Sequence, residues 1–147
     1  SPDICSADTQ NWTVDDNNNH KLEAQLRIED HPNIPGQLPK VIVGQVHGYD
    51  IKQALIKLQW EGGDKAIRAI LNDTFVLGND PCDHCNSFSV NLGHANANTD
   101  WRYNIEVNKH GVVLEAAGVK KSFAWGEQIE NTGYSLDPTW AHSENSF

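Results

Sequence analysis

Apolar and polar residues alternate one for one through much of this chain, in short bursts separated by Gly, Pro, Asn and Asp. From His20 onward, Leu22, Ala24, Leu26 and Ile28 alternate with Lys21, Glu23, Gln25, Arg27 and Glu29, which predicts a strand with one buried and one solvated face. Pro32, Pro35, Gly36 and Pro39 forbid regular structure and lead into a second strand over 41–48. Strict alternation there sets Val41, Val43, Gln45 and His47 on one face and Ile42 and Val46 on the other. A third strand, over 55–60, sets Leu55, Lys57 and Gln59 against Ile56, Leu58 and Trp60. The turn Glu61-Gly62-Gly63-Asp64 returns the chain through a fourth, over 66–71. Residues 74–77 predict a brief pairing at most. Further strands are expected over 88–92, 102–107 and 112–116, the last two joined through Lys109-His110-Gly111.

Beyond Gly118 the pattern loosens, and residues 1–19 read as a loop whose one large anchor is Trp12. Seven or so short strands, turn signals between them and no amphipathic helix predict an all-β fold, an antiparallel β-sandwich.

The length of 147 residues fits one domain, enough to bury a core without a metal or a dense disulfide framework. Eleven Lys and Arg against twenty Asp and Glu give a formal net charge of -9, which argues against nucleic acid and anionic membrane surfaces as partners. No apolar run approaches the roughly 20 residues of a membrane helix. The opening Ser1-Pro2-Asp3 lacks the pattern of a signal peptide, although a mature secreted chain has the same appearance. Cys82 and Cys85 form a lone C-x-x-C, whereas a structural zinc site wants four ligands, with only Cys5 and His84 in view to complete it. A disulfide stapling the loop fits better, agrees with an oxidising compartment and leaves Cys5 free. No metal site is expected there.

The candidate chemistry lies in the second strand. Gln45 and His47 share a face and set an amide beside an imidazole, where a core strand would continue with Val or Ile and a solvated one would carry Lys, Glu or Thr. A surface pair without a role has the same appearance in sequence.

The stretches Lys21-Leu22-Glu23-Ala24-Gln25-Leu26-Arg27-Ile28, Val41-Ile42-Val43-Gly44-Gln45-Val46-His47-Gly48, Leu55-Ile56-Lys57-Leu58 and Tyr103-Asn104-Ile105-Glu106-Val107 together resemble the body of an alginate lyase of polysaccharide lyase family 7. The Gln45-Val46-His47 triplet matches one signature motif of that family, and the resemblance runs from about Trp12 to Phe147. It implies a β-jelly roll with a concave groove for an acidic polysaccharide, secretion, and cleavage of alginate by β-elimination without a cofactor. Gln45 carries over as the group that hydrogen-bonds the uronate carboxylate, and His47 as the base. Val46 inside the triplet leans toward mannuronate-rich substrate. Because the ligand would be a polyanion, Lys57 and Arg68 are candidate substrate-binding cations.

Two of the family's motifs are absent. No R-S/T-E-L-R stretch precedes Trp12, and the strand that supplies the family's tyrosine only begins to appear at Ser146-Phe147. Arg27, Arg68, Arg102, Tyr49, Tyr103 and Tyr134 do not sit in those motifs. Residues 1–147 are therefore expected to form a single jelly-roll lyase domain lacking terminal strands, which companion fragments or further chain would supply.

Two other classes fit a sandwich. A carbohydrate-binding module would stack sugars on Trp60, Trp101, Trp125 or Trp140, and a glycoside hydrolase would need two carboxylates about the scissile bond, with Glu106 as one candidate.

Overall fold

The computed structural model describes residues 12–31, 33–49, 51, 53–76, 82 and 84–147. Among the described residues, alternating apolar positions are folded into eight strands: β1 (His20–Leu26), β2 (Val41–His47), β3 (Ala54–Trp60), β4 (Arg68–Asn72), β5 (Ser87–Asn91), β6 (Trp101–Asn108), β7 (Gly111–Ala116) and β8 (Val119–Ala124). They form two four-stranded antiparallel sheets, ordered β1-β6-β7-β8 and β2-β3-β4-β5. Ile56, Leu58 and Leu71 from one sheet and Ile105, Leu114 and Ala116 from the other meet in one continuous core, each essentially without solvent exposure. The expected β-sandwich is the fold observed.

Core and surface follow the period of two on β6. Tyr103, Ile105 and Val107 are buried while Asn104, Glu106 and Asn108 are not. On β1 the expected greasy face is only half covered, with Leu22 still 39% exposed, because β1 is an edge strand of its sheet. Residues 74–76 form no strand, and Leu77 lies outside the described residues.

β8 was not legible as a strand. It follows a two-residue turn, Ala117-Gly118, in which both residues have positive φ, 49° and 88°, the conformation that closes a tight hairpin. Its Val119, Lys120 and Ser122 are exposed, and lysines on an edge strand discourage pairing with a second chain. Only Phe123 marks its buried face.

A 3-10 turn, Pro138–Ala141, capped by the Asp137 carboxylate accepting from the Thr139 N–H at 2.8 Å, buries Trp140 completely. Trp12, the anchor of the N-terminal segment, stacks between His20 and Phe147. Ser146 bridges Thr13 and accepts from the Tyr49 N–H at 2.8 Å, so residues 146 and 147 lie beside the continuation of β2.

Candidate active site on the β2-β3-β4-β5 sheet

β2 does not alternate strictly. Its register against β3 runs Val41 to Trp60 and Ile42 to Gln59, then jumps to Gly44 with Leu58, Gln45 with Lys57 and Val46 with Ile56. Val43 is an extra residue, a β-bulge, and everything after it is turned over. Gln45 and His47 still share a face, but not the face of Val41 and Val43 as strict alternation predicts. They are exposed together with Ile42, while Val41, Val43 and Val46 pack against the core. A second shift places His47 opposite Ala54 and leaves Leu55 fully buried rather than on the face of Lys57.

The open face can be read from the cross-strand pairs, since residues directly opposite point to the same side. One row is Gln45, Lys57, Ile70 and Ser89; a neighbouring row is Ile42, Gln59, Arg68 and Asn91. Lys57 is thus the direct neighbour of Gln45. It is half-buried and has no carboxylate partner among the described residues, and the Gln45 amide there has no hydrogen-bond partner either.

Arg68 shares the face but is differently engaged. Its Nε and Nη2 donate to Oε1 of Glu61 at 2.9 and 2.7 Å, and its Nη1 donates to Ser89 Oγ at 3.2 Å. Glu61 is buried, and Gln59 Nε2 donates to the same oxygen at 2.7 Å. A carboxylate withdrawn from water needs such partners. Sequence reasoning took Glu61 for a hairpin-turn residue; an acid two positions after a Gln at the end of a strand was the one available signal.

His47 Nδ1 lies 2.7 Å from the carbonyl oxygen of Gly48. A carbonyl only accepts, so Nδ1 carries the proton, and Nε2 is the nitrogen turned away from this bond. Gly48 is buried, and a Cβ there would collide with Ile51 and Phe75, which fixes the backbone that orients the ring. Asn72 Nδ2 donates at 2.6 Å to the carbonyl of Ala54, the residue opposite His47. Nothing in the sequence pattern had singled out Asn72.

Charge is distributed unevenly over this acidic protein. β2, β3, β4 and β5 contain no Asp or Glu, and their only lysine and arginine are Lys57 and Arg68. Among the described residues, one group of side chains stands close enough to hold a metal: Cys82, His84 and Cys85. Its two sulfurs are joined in a disulfide and so offer no thiolate, which agrees with the expected loop staple. Cys5 lies outside the described residues.

Residues 3–147 match the family model described as alginate lyase. The chain belongs to the alginate lyase family. Among solved structures it is similar to the alginate lyase AlyC3, with a TM-score of 0.64 and 17% sequence identity over 93% of this chain and 58% of that one. At that identity the likeness concerns the fold, and the chain spans 58% of the length of AlyC3. No curated protein matches the chain.

Membership of the alginate lyase family agrees with what the site lacks for the two other classes. Trp60, Trp101 and Trp140 are buried and unavailable for stacking on sugars, and the half-buried Trp125 donates its indole N–H to Asn108 O on the other sheet. Glu106 also belongs to the other sheet, where it accepts from Asn19 and Asn104. The paired carboxylates that a hydrolase needs are therefore missing from the strands carrying Gln45 and His47. No helix among the described residues is long and apolar enough to cross a membrane.

Proposed function

We propose that this chain carries part of the catalytic face of a secreted polysaccharide lyase that cleaves alginate by β-elimination, of the polysaccharide lyase family 7 type. The observation that carries the reading is the exposed pair Gln45 and His47 beside Lys57, which has no carboxylate partner among the described residues, on strands free of carboxylates.

The C5 proton of a uronate is hard to remove while its carboxylate is fully charged, because negative charge grows toward that group as the proton leaves. The Gln45 amide donates a hydrogen bond to the carboxylate without adding a competing charge, and Lys57 adds a cation beside it. His47 takes the C5 proton on Nε2, and Gly48 O, already bonded to Nδ1–H, stabilises the imidazolium that results. The electron pair of the C5–H bond forms the C4–C5 double bond, the C4–O bond breaks, and the leaving oxygen takes up a proton from water. Arg68 lies on the same face, but its charge is largely answered by Glu61, so Lys57 has the larger part in holding substrate. With Val46 in the triplet, mannuronate-rich alginate is the favoured substrate.

The test is the ultraviolet absorbance of the unsaturated uronate released from alginate by the purified protein. A rise that vanishes in His47→Ala supports elimination through His47. New reducing ends without the double bond would replace the reading with hydrolysis, and saturable binding without product would make the chain a binding module.

A further inference from the structure

The bulge at Val43 lies two residues before Gln45 and is touched by a side chain from the opposite sheet. Where Val43 is inserted, its carbonyl leaves the regular ladder to β3. That oxygen accepts a hydrogen bond from the Tyr103 hydroxyl at 2.9 Å. Tyr103 belongs to β6, is 6% exposed and reaches across the sandwich to make the contact. Gly44 leaves room for it. A Cβ on Gly44 would lie 2.6 Å from the Tyr103 hydroxyl oxygen and 2.8 Å from the ring carbon that bears it.

Were the same residues paired without a bulge, period-two alternation would turn Gln45 and His47 inward beside Val41 and push Val46 out to solvent. The bulge therefore has a competitor, a straight register of the same strand. In the bulged register the extra carbonyl has a buried donor, and a buried carbonyl without one is penalised. We infer that Tyr103 is a positioning residue: its hydroxyl, seated under Gly44, pins the bulge at Val43 and so presents Gln45 and His47 to the open face. Its consequence for catalysis rests on the lyase reading; the register lock itself does not.

Two substitutions on the buried face of β6 separate this role from general stability. Tyr103→Phe keeps the ring and removes the donor, whereas Val107→Ala trims a residue that is 1% exposed and lies four positions along the same strand. Each is assayed for kcat and KM on alginate, for melting temperature, and for the nuclear magnetic resonance signal of the His47 Nδ1 proton in the substrate-free protein. Tyr103→Phe is expected to lower kcat by about tenfold or more at nearly constant KM, since small misplacements of reacting groups are costly. Its imidazole signal should broaden or double as the second register is populated. Val107→Ala is expected to melt earlier with kcat and signal intact.

A wild-type kcat or an unchanged signal in Tyr103→Phe overturns the inference, as does a loss of kcat in Val107→Ala that matches its loss of stability. Should Tyr103→Phe not fold, Gly44→Ala displaces the hydroxyl from the β2 side and is read by the same signal. If the wild-type protein releases no unsaturated product, the lyase reading falls, and the imidazole signal alone decides the register lock.

Discussion

The two sheets have four strands each and solve opposite problems. In β1-β6-β7-β8 every register runs without a break, and charges of both signs meet across strands, Lys21 opposite Glu106 and Glu115 opposite Lys120. In β2-β3-β4-β5 the register is broken twice, no acid appears, and Lys57 stands beside the uncharged Gln45. Cross-strand pairs of opposite sign satisfy a solvated face by itself. On this open face Arg68 and Gln59 are answered by the buried Glu61, which leaves Lys57 as the cation without a carboxylate among the described residues. The regular sheet satisfies its own charges, and the irregular one is the sheet to which the proposed function assigns a ligand.

The sharpest way to break this contrast is to remove the chemistry from the irregular sheet. His47→Ala is expected to lower the rate of unsaturated-product formation by about 10²–10⁴, the range of a lost general base, with no change in melting temperature for so exposed a side chain. Gln45→Ala should lose about 10²–10³, as for a lost hydrogen bond to developing charge. Equal activity in either variant would leave the open face without its assigned role.

Next in size are effects on stability. Arg68→Ala strands the buried Glu61 with Gln59 as its one remaining hydrogen-bond partner. Removing one partner of a buried pair destabilises strongly, and with Arg68 about one-third exposed the expected loss is about 2–3 kcal/mol, seen in the denaturation midpoint. Lys57→Ala should do the reverse. It leaves stability near wild type and raises KM for alginate about tenfold, the effect of one charge-assisted hydrogen bond, with the effect shrinking as salt is added. If Arg68→Ala raised KM and Lys57→Ala did not, the roles assigned to the two cations would be exchanged.

What the sequence disclosed follows this same division. The strand expected over 102–107 is found as β6, because an unbroken strand with one wet face obeys a period of two. Gln45 and His47 were recognisable as a pair since positions two apart share a face whichever way the strand is turned. Which face it was could not be read. The answer depends on the insertion at Val43, and that depends on Tyr103, 60 residues away in sequence. Leu55 was misassigned for a similar reason, a register break that leaves no local mark. Glu61 was hidden by its place in a Gly-rich turn, although its burial is a tertiary matter settled by Arg68 and Gln59.

The buried Tyr103 connects the sheets in a way that pH can probe. Burial raises its phenol above the ordinary value of 10.0. Below about pH 10 the phenol is neutral in both folded and unfolded chains and its contribution is fully present. As pH rises further the unfolded chain releases the proton while the folded one retains it, so stability falls until the folded phenol also ionises. Melting temperature followed from about pH 9 to pH 12 should decline, and Tyr103→Phe should flatten part of that decline. An identical slope in the variant would show that ionisation of other groups governs the alkaline limb.

The smallest expected effect belongs to the regular sheet and has the opposite sign. Hydrogen bonds to the Glu106 carboxylate, from Asn19 first and Asn104 second, hold its pKa below the ordinary 4.5. The stability it contributes is present above that value and fades as acid protonates the folded carboxylate. Solvent reaches this face, so Glu106→Gln should cost less than about 1 kcal/mol at neutral pH and still less in acid, where the wild type has lost the same contribution. Activity on alginate should not change, because the carboxylate sits on the sheet that does not carry Gln45 and His47. A marked loss of activity in Glu106→Gln with stability intact would place chemistry on the regular sheet and undo the division between the two.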